Sequence, residues 1–268
     1  MKKSDLWIAE YWKISPMFSD QHNFIGRQQW QTWPDCNELN RLMPEGNRTL
    51  SGYPIRFFPQ SSLAEDASYY EKHIFSTGEI PTRDHNWHDF FNAMVWLQFH
   101  ETKSVINALH VKEIERQADQ KKRSRKRDAL TLFDESGVIF VSCDDQIIET
   151  LKDHQWKALF WQKRDEWWRS ISVYIFGHGL YEKALSPYIG MTANALVLLV
   201  DDHFFNQNRQ SQINELDQTI SNKLQKENVL KTPRDLTPLP VLGVPGWWQE
   251  NDLEEFYNNQ NYFRPKRQ

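Results

Sequence analysis

The segment PTRDHNWHDFFNAMVW, Pro81 to Trp96, gathers Arg83, Asp84, His85, His88, Asp89 and Asn92 just ahead of a run of large apolar residues. An imidazole close to a carboxylate is the usual equipment of general acid/base catalysis. Wound as a helix at about 100° per residue, His85, His88, Asp89 and Asn92 fall on one stripe, with Trp87, Phe90, Phe91 and Met94 opposite. The pattern predicts His85 or His88 as the acid/base, Asp89 orienting the imidazole, and Arg83 and Asn92 contacting substrate. A helix N-terminus beside Arg83 favours an anionic group. The plainer alternative is capping, with Asn86 and Asp89 spaced as a capping box and Thr82 or Asp84 as further caps. Capping accounts for one or two of these residues. It leaves two histidines and an arginine unexplained, and such clusters of titratable groups mark sites more often than they decorate surfaces.

A second candidate is FGHGLYEKAL, 176–185, where His178 follows an apolar run and Glu182 lies one helical turn further on. The pair suits an acid/base couple or two ligands of a divalent metal. Its bland reading is a helix-start histidine with a surface ion pair. Asp201, Asp202 and His203 follow another apolar run and would join His178 if the two strands ran parallel; alone, the triplet reads as a solvated loop. The run KKRSRKR, 121–127, has six basic residues of seven but no interleaved aromatics, so it reads as a solvated loop and not as a nucleic-acid site. Arg127 and Asp128 enter the next element directly and are expected as an ordered pair at the site, binding substrate. Walker, GxGxxG, HExxH and GxSxG motifs are all missing from the sequence, which removes the commonest nucleotide, dehydrogenase, zinc-protease and serine-hydrolase readings.

Elements must bring these residues together. A long helix is predicted from about Asn86 to Ala108, apolar nearly all round after Asn92 and therefore buried. YPIRFF, 53–58, reads as a short strand, and 61–78 as a helix or irregular turn ending at Gly78. ALTLF-DESG-VIFVS, 129–142, has the form of a β-hairpin, two apolar runs about a glycine-containing turn. Residues 145–168 read as a helix, 171–176 and 195–200 as strands, and 207–227 as an amphipathic helix. Helical links between the strands are long enough for parallel crossovers. The expected class is α/β or α+β, a mixed and mostly short-stranded sheet with a β-hairpin, surrounded by dominant helices.

A chain of 268 residues with twelve tryptophans needs a substantial core, and one globular unit spanning 1–268 is expected. Residues 1–50 form an aromatic-rich N-terminal segment, and 232–268, with Pro233, Pro238, Pro240 and Pro245, an extended C-terminal strap. The mean hydropathy of −0.73 fits a polar surface. The net charge of −4 argues against nucleic acid as a partner. Cys36 and Cys143 form no metal or disulfide pattern, no apolar run reaches membrane length, and no signal peptide is recognisable, so a cytoplasmic protein without a membrane role is expected.

The motifs PTRDHNWHDFFNAMVW, RDALTLFDESG, WKALFW, FGHGLYEKAL, PLPVLGVPGWW and NYFRP together resemble the bacterial family catalogued as domain of unknown function 3025, from about Tyr53 to Arg264. The resemblance implies a soluble bacterial protein and carries no activity with it. From the residues themselves, the leading expectation is a hydrolase-like enzyme acting on a small anionic substrate, with or without a divalent metal, using His85, His88, Asp89, His178 and Glu182. The rival is a non-catalytic binding or regulatory protein whose polar cluster is structural. Substrate, metal and oligomeric state stay open.

Overall fold

The computed structural model describes residues 6–26, 28, 30–63, 70–116, 123–227 and 229–266. Its centre is a helix buried on almost every side. Asn86 caps it, its side-chain oxygen accepting from the Asp89 N–H at 3.0 Å. This central helix spans Trp87–Gln98, and of its twelve residues only His88 is not buried. At Phe99 the backbone leaves helical geometry, and a second helix, His100–Arg116, follows. The single long helix expected from 86 is thus two.

Numbered along the chain, the helices are α1 (Ser19–Ile25), α2 (Cys36–Asn40), α3 (Tyr70–Thr77), α4 (Trp87–Gln98), α5 (His100–Arg116), α6 (Arg125–Ser136), α7 (Asp145–Lys152), α8 (His178–Ala184), α9 (Asp202–Phe205) and α10 (Arg209–Lys226). The strands are β1 (Arg56–Pro59), β2 (Glu79–Thr82), β3 (Gly137–Ser142), β4 (Ile171–Ile175), β5 (Thr192–Leu199) and β6 (Thr237–Pro240). β1 and β2 form a small parallel sheet. The other four lie in the order β4-β3-β5-β6. β3 runs parallel to β5 and antiparallel to β4, and β6 runs antiparallel to β5. GVIFVS of β3 is buried at every position, as a strand covered on both faces must be. The class is therefore a helix-dominated mix with a mixed sheet, as expected.

Three further expectations fail in detail. The hairpin at 129–142 is absent: its first half is helix α6, running straight into β3. Ser124 caps that helix by accepting from the Arg127 N–H at 3.2 Å. Ala129, Leu130 and Phe133 then fall on one face and are fully buried, a helical spacing that overrides the strand-like look of ALTLF. The basic run accordingly supplies the first turn of α6 from Arg125 to Arg127, while residues 121 and 122 lie outside the described residues. Next, β4 and β5 run antiparallel, since each is paired with β3 in opposite senses. Their C-terminal ends point to opposite edges, so Asp201, Asp202 and His203 do not join His178; Asp201 instead caps α9. Finally, the helix expected over 145–168 is broken after α7 by His154 in the left-handed region (φ 56°).

The aromatic N-terminal segment covers α4. Trp7 stacks on Trp87 with ring centroids 5.0 Å apart and planes at 11°. The C-terminal strap contributes β6 and short 3-10 turns, then is pinned by Tyr262, whose hydroxyl donates to the Met191 carbonyl at 2.7 Å. Among the described residues no helix is long and apolar enough to cross a membrane.

Candidate functional site

Two glycines bring the site together. The N–H groups of Phe176 and Gly177 both donate to the Gly137 carbonyl, at 3.1 and 2.8 Å, so the end of β4 hooks over the junction between α6 and β3. A Cβ on Gly177 would sit 2.5 Å from the Gly137 nitrogen and 2.6 Å from the Ser136 Cα. Only glycine permits this crossing. It sets His178, the first residue of α8, against Asp134 and Glu135 in the last turn of α6. On the other side α8 packs against α4, where Tyr181 stacks on Phe91 at 5.7 Å, and His88 in the first turn of α4 reaches the same point.

The result is a histidine pair among carboxylates. The Nε2 atoms of His88 and His178 are 3.0 Å apart. His88 Nδ1 meets Glu182 Oε2 at 2.9 Å. Glu135 Oε1 lies 3.5 Å from His178 Nε2 and 3.9 Å from His88 Nε2. On the far side of His178, Nδ1 is 3.8 Å from Asp134 Oδ2, and it is buried without a hydrogen-bond partner among the described residues. The hydrogen bond to Glu182 outweighs burial and raises the proton affinity of His88. Contact with His178 holds the Glu135 carboxyl below its ordinary range, and contact with His88 does the same for Glu182.

The pair forms one wall of a cavity of about 360 Å³, which Arg83, Asp89, Asn92, Tyr70, Glu71, His110, Asp134 and Glu135 also line. Its floor is a chain of hydrogen bonds. Lys103, buried in α5, donates to Asp134 Oδ1 at 2.5 Å and Asn92 Oδ1 at 2.9 Å, and Asn92 donates to the Tyr70 hydroxyl at 2.8 Å. Burial would raise the Asp134 carboxyl, but Lys103 and His178 outweigh it and hold the group ionised. Burial pushes Glu71 up to about 7 and His110 down to about 4. A second opening, of about 480 Å³, borders the far side of His88 and Glu135, reaching Gly179 and Glu182.

Of the residues singled out in the sequence, His88, His178 and Glu182 come into direct contact, and Arg83, Asp89 and Asn92 line the cavity. Asp89 does not orient an imidazole. Its carboxylate accepts from the Arg83 backbone N–H, Nε and Nη2 at 2.7, 2.9 and 2.7 Å, because β2 delivers Arg83 alongside the capped first turn of α4. Glu182 takes the orienting place. His85 is exposed, with φ 53°, and precedes the cap, so it lies off the helical stripe; its ring is tilted against Trp33 at 6.0 Å. Arg127 and Asp128 sit at the opposite end of α6 from Glu135 and do not line the cavity; Asp128 instead pairs with Arg123 at 3.3 Å. Glu135, Asp134, Lys103, Glu71, Tyr70 and His110 went unrecognised in the sequence. The signal for the first two was present in the helical spacing of α6.

Fold and site together define a mixed α/β protein carrying a histidine pair on the wall of a polar cavity. The chain belongs to the family described as "Protein of unknown function (DUF3025)", which it matches over residues 55–267. The match takes in β1 through the strap and so every residue of the cluster. No curated protein and no solved structure matches the chain.

Proposed function

We propose that the protein is a hydrolase-type enzyme in which the His88–His178 pair moves a proton at a small polar substrate held in the cavity. The observation that carries this reading is the 3.0 Å approach of the two Nε2 atoms, with Glu182 on the other nitrogen of His88. A carboxylate on Nδ1 fixes the tautomer that leaves the Nε2 lone pair pointing at the reacting groups. Two imidazoles at this separation hold a single proton between them, an arrangement that passes protons readily. The lining has more carboxylates than cations, with Arg83 already tied to Asp89. An anionic substrate would therefore bind by Arg83 at the rim or by a bound cation. The unbridged thiols of Cys36 and Cys143 support a reducing compartment, and we place the reaction in the bacterial cytosol with a small molecule, not a nucleic acid, as its partner.

The test is a panel of carboxylic and phosphate esters, amides and glycosides, run with the purified protein. His88→Asn should lower turnover on the responsive class by about 100-fold or more, the usual weight of a general acid/base. Glu182→Gln should lower it less and displace the pH profile. Indistinguishable behaviour of wild type and a His88→Asn/His178→Asn double variant across the panel would overturn the reading.

A further inference from the structure

We propose that His88 Nε2, His178 Nε2 and Glu135 Oε1 are the three protein ligands of a divalent transition-metal ion, zinc by their chemistry. The inference rests on the reading of this cluster as the reaction centre and changes its chemistry: with both Nε2 atoms on the ion, a water bound to the ion would take over the proton-transfer role given to the pair. One donor atom from each residue lies within 4.8 Å of the others. Tetrahedral zinc with bonds of about 2.0–2.1 Å separates its ligand atoms by about 3.3–3.4 Å. The observed separations of 3.0, 3.5 and 3.9 Å bracket that value. The Glu135 side chain is about half exposed (46%) and free to close the longest of them.

The far nitrogens make the stronger case. A zinc-bound histidine presents one nitrogen to the metal and its other N–H to a carboxylate or carbonyl. His88 has Glu182 hydrogen-bonded to Nδ1 at 2.9 Å; His178 has the Asp134 carboxylate, held in place by Lys103, on its Nδ1 side at 3.8 Å, an ionic approach longer than a hydrogen bond. With both Nδ1 atoms protonated toward these carboxylates, two lone pairs face each other across 3.0 Å. Something positive belongs between them. If His178 instead placed its only proton on Nε2, its Nδ1 lone pair would face Asp134, leaving a nitrogen in a side chain only 5% exposed with no donor to accept from. A divalent ion resolves both conflicts; the competitor is a proton on a fully charged His178.

Two histidines, one carboxylate and an adjoining cavity match the three-ligand pattern of catalytic zinc, in which a water or substrate oxygen takes the fourth position. The ion would also supply the positive charge that the acidic lining lacks. An anionic or carbonyl oxygen would then be accepted where the protein alone repels it.

The experiment strips the full-length protein with a chelator and titrates it with Zn²⁺ against a chromogenic competitor, with Co²⁺ absorption as a probe of ligand geometry. One equivalent of Zn²⁺ should bind. Glu135→Gln, at a half-exposed position, should weaken binding at least 100-fold while keeping the wild-type melting curve, and His178→Asn should do the same or worse. Glu182→Gln should weaken it about 10-fold, as loss of an orienting carboxylate does. Absence of stoichiometric Zn²⁺ binding, or binding unchanged in Glu135→Gln and His178→Asn, overturns the site. The two readings separate cleanly: full turnover by chelated protein that binds no zinc overturns the ion and keeps the reaction. Zinc bound with no turnover on any substrate class supports the ion and overturns the reaction.

Discussion

Lys103 holds Asp134: the buried ammonium of α5 lies 2.5 Å from the carboxylate that faces His178. The same nitrogen donates to Asn92 on α4, so one side chain ties three helices beneath the cavity. Such a pair does little for stability as a pair, but breaking it strands a buried charge. Lys103→Met should therefore cost about 3–5 kcal/mol, read from urea denaturation. Adding Asp134→Asn should restore part of the loss; a single variant as stable as wild type would show that the pair is not buried as described.

The central helix makes a separate prediction. Phe91 is fully buried and stacks on Trp87, Phe18 and Tyr181 at 5.4–5.7 Å. Phe91→Ala should lower stability by about 3–5 kcal/mol. An unchanged denaturation midpoint would remove α4 from the centre of the core.

Gly177→Ala tests the crossing that builds the cluster. The added methyl group would press on the backbone of Ser136 and Gly137, not on a side chain that could swing away. A loss of about 1–3 kcal/mol is expected, as for overpacking elsewhere. The thermal melt should record it, and a melt like wild type's would mean that the crossing is loose.

Two groups in the cavity oppose one another in pH. His110, at about 4, stays neutral in the fold while the unfolded chain takes up a proton near 6.5, so its contribution is lost as pH falls from about 6.5 toward 4. Glu71, at about 7, keeps its proton in the fold, so its contribution is present below 4.5 and lost as pH rises from there through 7. Between pH 4.5 and 6.5 the slopes oppose and the wild-type melting temperature should change little on their account. Glu71→Gln leaves His110 unopposed, and acidification across that window should then destabilise the protein by up to about 3 kcal/mol. A melting temperature for this variant that is as flat with pH as the parent's would contradict the assignment.

Much of this architecture is legible in the residues, and the exceptions share a cause. The burial of α4 and the apolar runs of β3, β4 and β5 follow from periodicity and length alone. The histidines at 88 and 178 stand out by type. What local patterns could not show is their meeting, because it depends on a glycine crossing between segments forty residues apart in sequence. The segment DESG misled for a related reason: a polar tetrad ending in glycine looks like a turn, although a serine cap ten residues before Asp134 had already committed the chain to helix. Reading it as a turn removed Asp134 and Glu135 from consideration. His85 went astray through a left-handed residue just ahead of a cap, which no helical projection anticipates.

The proline-rich strap has a consequence for how this molecule meets its neighbours. β6 is the outermost strand of the larger sheet, and two of its four residues, Pro238 and Pro240, have no amide hydrogen. The Val241 N–H turns toward β5, donating to the Met191 carbonyl, so by alternation positions 238 and 240 face outward. A strand from another chain approaching this border would find both of their donors missing. The strap thus finishes the sheet on this side and closes this edge to extension, a safeguard against fibrous self-association for a protein so rich in aromatic side chains.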